Sequence, residues 1–285
     1  MNEPDSAPGA ELSTAAADRP RTERPKKPRP SLFMLGGLIG LAAVTIAAGA
    51  DWRFGVGFSL TEIWDGLTRP NAPMRGLGEI DFGVLTGTRA RNGFLETLQM
   101  ALVSTISGAL VALPLALFNS KLGAPNRIAY AAIKLFNNVI RSIPDLLWAL
   151  LFVAAVGIGA LPGMLALFFF SIGVVTKLTS DTIDGIDHGP VEAARASGAS
   201  HLQMLRTAVF PQVLPAYTSF SMYCFELNLR ASAVLGFVGA GGIGAVINDY
   251  RISGQWDRVW GVVVGFLIVV IVVERISMML RRRLL

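Results

Sequence analysis

One cysteine, Cys224, and two histidines, His188 and His201, are all that 285 residues supply of the side chains behind disulfides, thiolate metal centres and imidazole acid–base pairs. A disulfide framework is excluded, and so is a zinc centre built from several Cys and His ligands. Charge is scarce too. Only 16% of residues are Asp, Glu, Lys or Arg, while 52% are hydrophobic, which is outside the range of an ordinary soluble domain. No G-x-x-x-x-G-K-[ST] occurs, so if ATP hydrolysis drives this chain, another subunit performs it. No repeat of solenoid length is visible.

Long uncharged runs are what the chain does have. Ser31–Ala50 is twenty residues without a charge, enough to cross a hydrocarbon layer of about 30 Å as a helix. Leu98–Phe118, Ser142–Leu161, Pro162–Val175, Pro215–Val238 and Val259–Val273 are further candidates, the fourth being short unless it borrows from its flanks. The expectation is an all-α membrane protein with six crossings, five as the fallback. The net charge of +5 is not a nucleic-acid patch, because its positions follow the membrane. With the amino terminus inside, fifteen Lys and Arg fall on the inner side, including Arg19–Arg29 of the tail and Arg281–Arg283, against seven outside. Both termini are therefore expected in the cytoplasm. Residues 1–30, rich in Pro, Ala and mixed charge, read as a disordered cytoplasmic tail, 31–50 as the first transmembrane helix and 51–93 as an extracytoplasmic loop. Residues 94–285 form the core with about five further helices. Ala48-Gly49-Ala50 resembles a signal cleavage site, but the apolar run is too long for a signal core and the polar lead too extended.

Residues 181–211 form a polar loop between apolar segments, on the expected inner side. Pro190 suits a first helical position, and Glu192 falls in the first turn, where the helix dipole favours an anion. Ala193, Ala194 and Ala196 form helix without bulk, and Gly198 is placed for a left-handed cap. Ser200 and Gln203 give the S-x-x-Q pattern of a capping box, starting a second helix expected to break at Pro211. Two short helices hinged at a glycine make a knob for another protein to hold.

Glu192-Ala193-Ala194, three residues, Gly198, nine residues and Ala208-Val209-Phe210-Pro211 resemble the EAA loop of ABC importer permeases, with Ala208 and Phe210 where that family has Ile and Leu. Arg141-Ser142-Ile143-Pro144-Asp145-Leu146-Leu147-Trp148-Ala149-Leu150 is similar to the third span of phosphonate and phosphite importer permeases, and Arg230 through Gly244 to the end of their fifth. The resemblance covers roughly residues 90 to 280. It implies a methionine-permease-like fold in a bacterial inner membrane, surrounded by lipid, with a second copy completing the pathway as a homodimer. It also implies a cytoplasmic P-loop ATPase dimer that binds ATP and Mg²⁺ and holds the elbow through Glu192, Ala193, Ala194, Gly198 and Pro211. An extracytoplasmic binding protein would deliver phosphonate-like or phosphite-like oxyanions. The chain itself would be neither an enzyme nor a holder of any cofactor or metal.

Charges inside the expected spans are costly, about 2.5–3.5 kcal/mol each even on lenient insertion scales. Glu226 and Arg230, four residues apart, either neutralise each other or serve transport. Arg141 and Asp145 flank Pro144, which kinks or breaks the third span and can expose a cavity; Arg141 and Arg230 are the expected oxyanion contacts, with Asp145 and Glu226 as further pathway residues. Gly239-Ala240-Gly241-Gly242-Ile243-Gly244 matches G-x-G-x-x-G literally but lacks a strand–helix context. Gly239, Gly241 and Gly242 read instead as a flexible or tightly packed gate at the pathway mouth, a minor alternative being a backbone cradle for an anion.

Two other classes compete. A stand-alone secondary transporter or channel would need midplane carboxylates, for which only Glu226 and Asp145 qualify. A metal-dependent membrane enzyme would use Asp181, Asp184 and Asp187, read as one helical face ending at His188. The plainer reading of those aspartates is an acidic cytoplasmic surface, since the membrane phosphotransferase pattern D-G-x-x-A-R is missing.

Overall fold

The computed structural model describes residues 32–49, 60–68 and 71–284. The expected disordered tail, 1–30, lies outside them. The chain divides into two units, Met1–Thr68 and Arg69–Leu285. The first holds α1 (Leu32–Gly49), apolar all round, and the short amphipathic α2 (Leu60–Thr68). At 1.5 Å per residue, the 18 residues of α1 span about 27 Å, just short of a hydrocarbon core.

The second unit is built on two long helices, α4 (Thr88–Phe118) and α7 (Ala160–Asp184). In lipid no hydrophobic force joins apolar helices, so small residues and polar bonds must do it. That is what their seam contains. Ala101, Gly108, Ala112 and Ala116 are buried along α4, and a Cβ on Gly108 would fall 2.5 Å from the Ser171 Cβ of α7. Ser104 donates to the Met164 carbonyl (2.8 Å), and Asn119 Nδ2 to Ser180 Oγ (2.7 Å). A third helix, α10 (Phe210–Leu235), joins them through Asn228, whose Nδ2 donates to Thr105 Oγ1 and Ser171 Oγ, each at 2.7 Å.

Proline sets the breaks. Pro144 has no N–H and forces Ile143 into an extended conformation, so α5 (Arg127–Ser142) and α6 (Asp145–Val156) meet at 85°. The expected span Ser142–Leu161 is therefore only α6 and its exit turn, and the helix before the bend went unforeseen. The short fourth span does borrow from both flanks: α7 runs well past Pro162–Val175 and takes in Asp181–Asp184 of the expected loop. The second span begins earlier than Leu98, at Thr88.

Residues 72–86, expected as loop, fold into α3 (Ala72–Gly78) and a 3-10 turn (Phe82–Thr86) seated on α12 (Trp256–Leu284). Trp260 Nε1 donates to the Pro73 carbonyl at 2.8 Å, and Gly76 leaves room for Trp256. The remaining elements are α8 (Gly189–Ala196), α9 (His201–Met204) and α11 (Gly242–Ile252). Among the described residues three helices are long and apolar enough to cross a membrane, or five spans if each bent pair counts as one, with α1 as a shorter apolar helix. The expected count of six is not reached on this measure.

Candidate functional site

The elbow starts where α7 ends. Its first helix, α8, has Pro190 in the first turn with Glu192 close behind. It closes in a Schellman cap: Ala199 N–H donates to the Ala194 carbonyl, Gly198 N–H to that of Arg195, and Gly198 takes φ +79°. Ser200 then caps α9 with both bonds of the capping box, Ser200 Oγ accepting from Gln203 N–H and Gln203 Oε1 from Ser200 N–H.

The expected break at Pro211 does not occur. A proline inside an α-helix removes one hydrogen bond and presses on the carbonyl four residues back. Here the turn Leu205–Val209 is widened to a π-helix, in which Phe210 N–H donates to the Leu205 carbonyl five residues back. With that relief, α9 and α10 form one rod from His201 to Leu235. Gln212 fastens it to the preceding turn: its side chain accepts from Asp187 N–H (3.1 Å) and donates to the Asp187 and Ala208 carbonyls.

The elbow has two faces. Val191, Met204, Leu205, Ala208 and Val209 are buried against Ile183 of α7, Ile186 of the turn after it and Ala116 of α4. Glu192, Ala193, Gly198 and Pro211 are exposed, and Ala194 is half-buried. Leu202, which sequence reasoning passed over, stands 75% exposed on the second helix.

The intramembrane charges sort differently from the expectation. Glu226 does not pair with Arg230. Its carboxylate, 7% exposed, binds Arg281 at 2.5 Å, and Arg230 only donates Nε to the Glu226 backbone carbonyl at 3.3 Å from an exposed position. Arg281 lies 55 positions away, so no local pattern could have announced it. Arg141 and Asp145 do come together: both line one cavity of about 270 Å³ at the Pro144 bend, with Phe170, Gly173 and Val174 opposite. Asp145 Oδ1 accepts from Leu146 N–H at 2.9 Å. Glu226 and Arg230 do not line that cavity.

The glycine corner is packed tightly. Gly239, Gly241 and Gly242 all have positive φ (87°, 79° and 71°). A Cβ on Gly241 would lie 2.8 Å from the Ala160 backbone, and one on Gly242 2.7 Å from Thr97 Oγ1. The N–H groups of Gly239, Ala240 and Ile243 donate to Gly236, Leu235 and Thr97.

The aspartates are dispersed. α7 ends at Asp184, so Asp187 is off the helical face it was expected to share. Asp181 pairs with Lys177 (2.5 Å), Asp184 accepts from Lys121 N–H (2.8 Å) and Asp187 from Gly189 N–H (2.9 Å). No three His, Cys, Asp or Glu side chains converge among the described residues.

Membrane-length helices broken around a cavity, with an elbow rigidly mounted on one of them, define a multi-pass membrane transport subunit. The comparisons agree. The chain belongs to the family of binding-protein-dependent transport system inner membrane components, whose model matches residues 112–285. This is a transport family with no catalytic role of its own. The chain is 41% identical over 198 residues to the phosphate-import permease protein PhnE of Mycolicibacterium smegmatis, covering 69% of this chain but 37% of that protein. It is 40% identical over 189 residues to the phosphite transport system permease protein PtxC of Stutzerimonas stutzeri, covering 66% of this chain and 68% of that one. It is also similar to the inward-facing MetNI methionine ABC transporter, with a TM-score of 0.59 and 26% identity over 68% of this chain and 95% of that one. The methionine-permease-like fold is thus the fold observed.

Proposed function

We propose that this chain, paired with a second copy of itself, forms the pathway of an ATP-driven importer for phosphorus oxyanions of the phosphite, phosphonate and phosphate kind. The cargo class is taken from the names of its relatives, and an extracytoplasmic binding protein presents it. The termini face the cytoplasm, which puts the elbow there too. Glu192, Ala193, Ala194, Gly198 and Pro211 form the surface held by a P-loop ATPase dimer that binds ATP and Mg²⁺. Arg141 and Asp145 contact cargo at the bend, and Gly239, Gly241 and Gly242 close the outer mouth as a packed gate. Arg230 flanks the route as a lesser cation, and Glu226 serves as a structural pair with Arg281.

The observation that carries this reading is the continuous rod. The exposed Glu192 face is capped onto a helix that runs unbroken from His201 to Leu235, carries Glu226 and Asn228, and ends at the glycine corner. Closure of an ATPase dimer that moves the elbow must then move the pathway as a rigid body. The test is a mild-detergent pull-down of the chain from its native membrane, with mass spectrometry, comparing wild type with Gly198→Pro. Recovery of a P-loop ATPase and a binding protein, with the ATPase lost in the variant, supports the reading. Recovery of the wild-type chain alone from membranes active in uptake sinks it.

A further inference from the structure

The bend at Pro144 holds one cation and one anion that ignore each other. In an unbroken helix Arg141 and Asp145 would stand four residues apart and pair across one turn. The 85° turn between α5 and α6 takes that geometry away, and both side chains face the same cavity of about 270 Å³ with no ion pair to each other or to any other described residue. Gly173 of α7 keeps the cavity open on the far side, since a Cβ there would come within 2.7 Å of Arg141 Cγ. One turn before Arg141, on the same face of α5, Asn137 is 2% exposed and neither atom of its amide has a partner. A buried amide left bare costs about 1–3 kcal/mol, so Asn137 keeps hydrogen-bonding capacity that the fold itself does not use.

We infer that this bend recognises oxyanions carrying a hydrogen-bond donor of their own, Arg141 supplying the charge and Asp145 accepting the donor. The inference rests on the oxyanion reading above and narrows it. A carboxylate beside an anion is repulsive, by about 4 kcal/mol at 4 Å for an effective dielectric constant near 20. Asp145 in a site for bare anions would therefore defeat Arg141. The repulsion becomes an attraction when the ligand brings a P–OH, as singly protonated phosphite and alkylphosphonates do, or an ammonium, as aminoalkylphosphonates do. Sulfate brings neither at neutral pH. Asn137 does not line the cavity and is no part of the proposed contact. A donor-selective site of this kind discriminates through the group left unpaired when the wrong ligand enters.

The test is calorimetric titration of phosphite, 2-aminoethylphosphonate and sulfate into the permease–ATPase complex in lipid nanodiscs, without binding protein. Phosphite should bind at least about tenfold more tightly than sulfate if the P–OH is the donor, and only 2-aminoethylphosphonate should do so if the ammonium is. In either case Asp145→Asn, which can still accept from Leu146 N–H, should bring sulfate to within about threefold of the preferred ligand, and Asp145→Glu should keep the preference. Arg141→Gln should abolish binding of all three. Equal binding of sulfate by the wild type, no binding at all, or a preference unchanged in Asp145→Asn overturns the inference. Running ATP-driven uptake on the same preparation with binding protein separates the two levels: intact uptake without donor preference ends this inference alone, and absent uptake ends the functional reading.

Discussion

Two kinds of polar group share this helical bundle, and the fold treats them in opposite ways. Glu226 and Asn228, buried on α10, are consumed: one is neutralised by Arg281, the other donates to Thr105 and Ser171. Arg141 and Asp145 at the bend, and Glu192 on the elbow, are left open. Sequence alone treats Glu226–Arg230 and Arg141–Asp145 alike, as opposite charges four residues apart. The structure shows that spacing does not decide the use of a charge in a membrane helix. What decides it is whether a neighbouring helix brings a partner.

The strongest way to break this contrast is to remove a consumed group. Glu226→Ala leaves Arg281 unpaired in a mostly buried setting and should cost about 3 kcal/mol of unfolding free energy, read by denaturant titration in detergent. Adding Arg281→Met should recover most of the loss, and if it does not, the pair is not what holds α10 to α12. Next in size, Asn228→Leu removes two interhelical bonds and should cost about 1–2 kcal/mol in the same assay, the upper part of the range seen in membranes.

The elbow comes third and sharpens the contrast differently, because its frame is consumed while its face is free. Gly198→Ala has open space for its Cβ but a φ of +79°, so its cost of about 1–2 kcal/mol is purely that of the backbone. Ser200→Ala, which removes one half of the capping box, should cost about 1 kcal/mol. Both should weaken ATPase recovery in the pull-down. The smallest effect on stability belongs to the open groups. Arg141→Gln should shift unfolding by less than about 0.5 kcal/mol, as surface substitutions do, yet reduce oxyanion uptake by at least about tenfold. A large stability loss there would move Arg141 into the consumed class.

What was legible in the sequence is what neighbouring residues settle among themselves. The elbow could be read almost atom by atom, because Pro190, Gly198, Ser200 and Gln203 act on backbone groups within a few positions of themselves. The break at Pro144 was visible for the same reason. Features that depend on distant partners were not legible. Arg281 reads as one more cytoplasmic arginine until α12 is laid beside α10, and Asn228 reads as a polar residue in a span until Thr105 and Ser171 surround it. The seat of α3 on Trp256 and Trp260 joins residues nearly two hundred positions apart. Pro211 misled for a subtler reason: the rule that proline breaks a helix holds for regular α-turns, and the π-turn before it removes the conflict.

The central claim is that the elbow transmits ATP-driven motion into a pathway for phosphorus oxyanions. It is tested most directly by uptake of labelled phosphite into vesicles holding the chain and its co-purified ATPase, with the binding protein outside and ATP inside. Wild type should accumulate phosphite only with ATP. Gly198→Pro, whose ring cannot take a φ of +79°, should lose that accumulation while the chain still unfolds cooperatively. Uptake that proceeds without ATP, or that survives Gly198→Pro undiminished, would contradict the account and favour a stand-alone transporter.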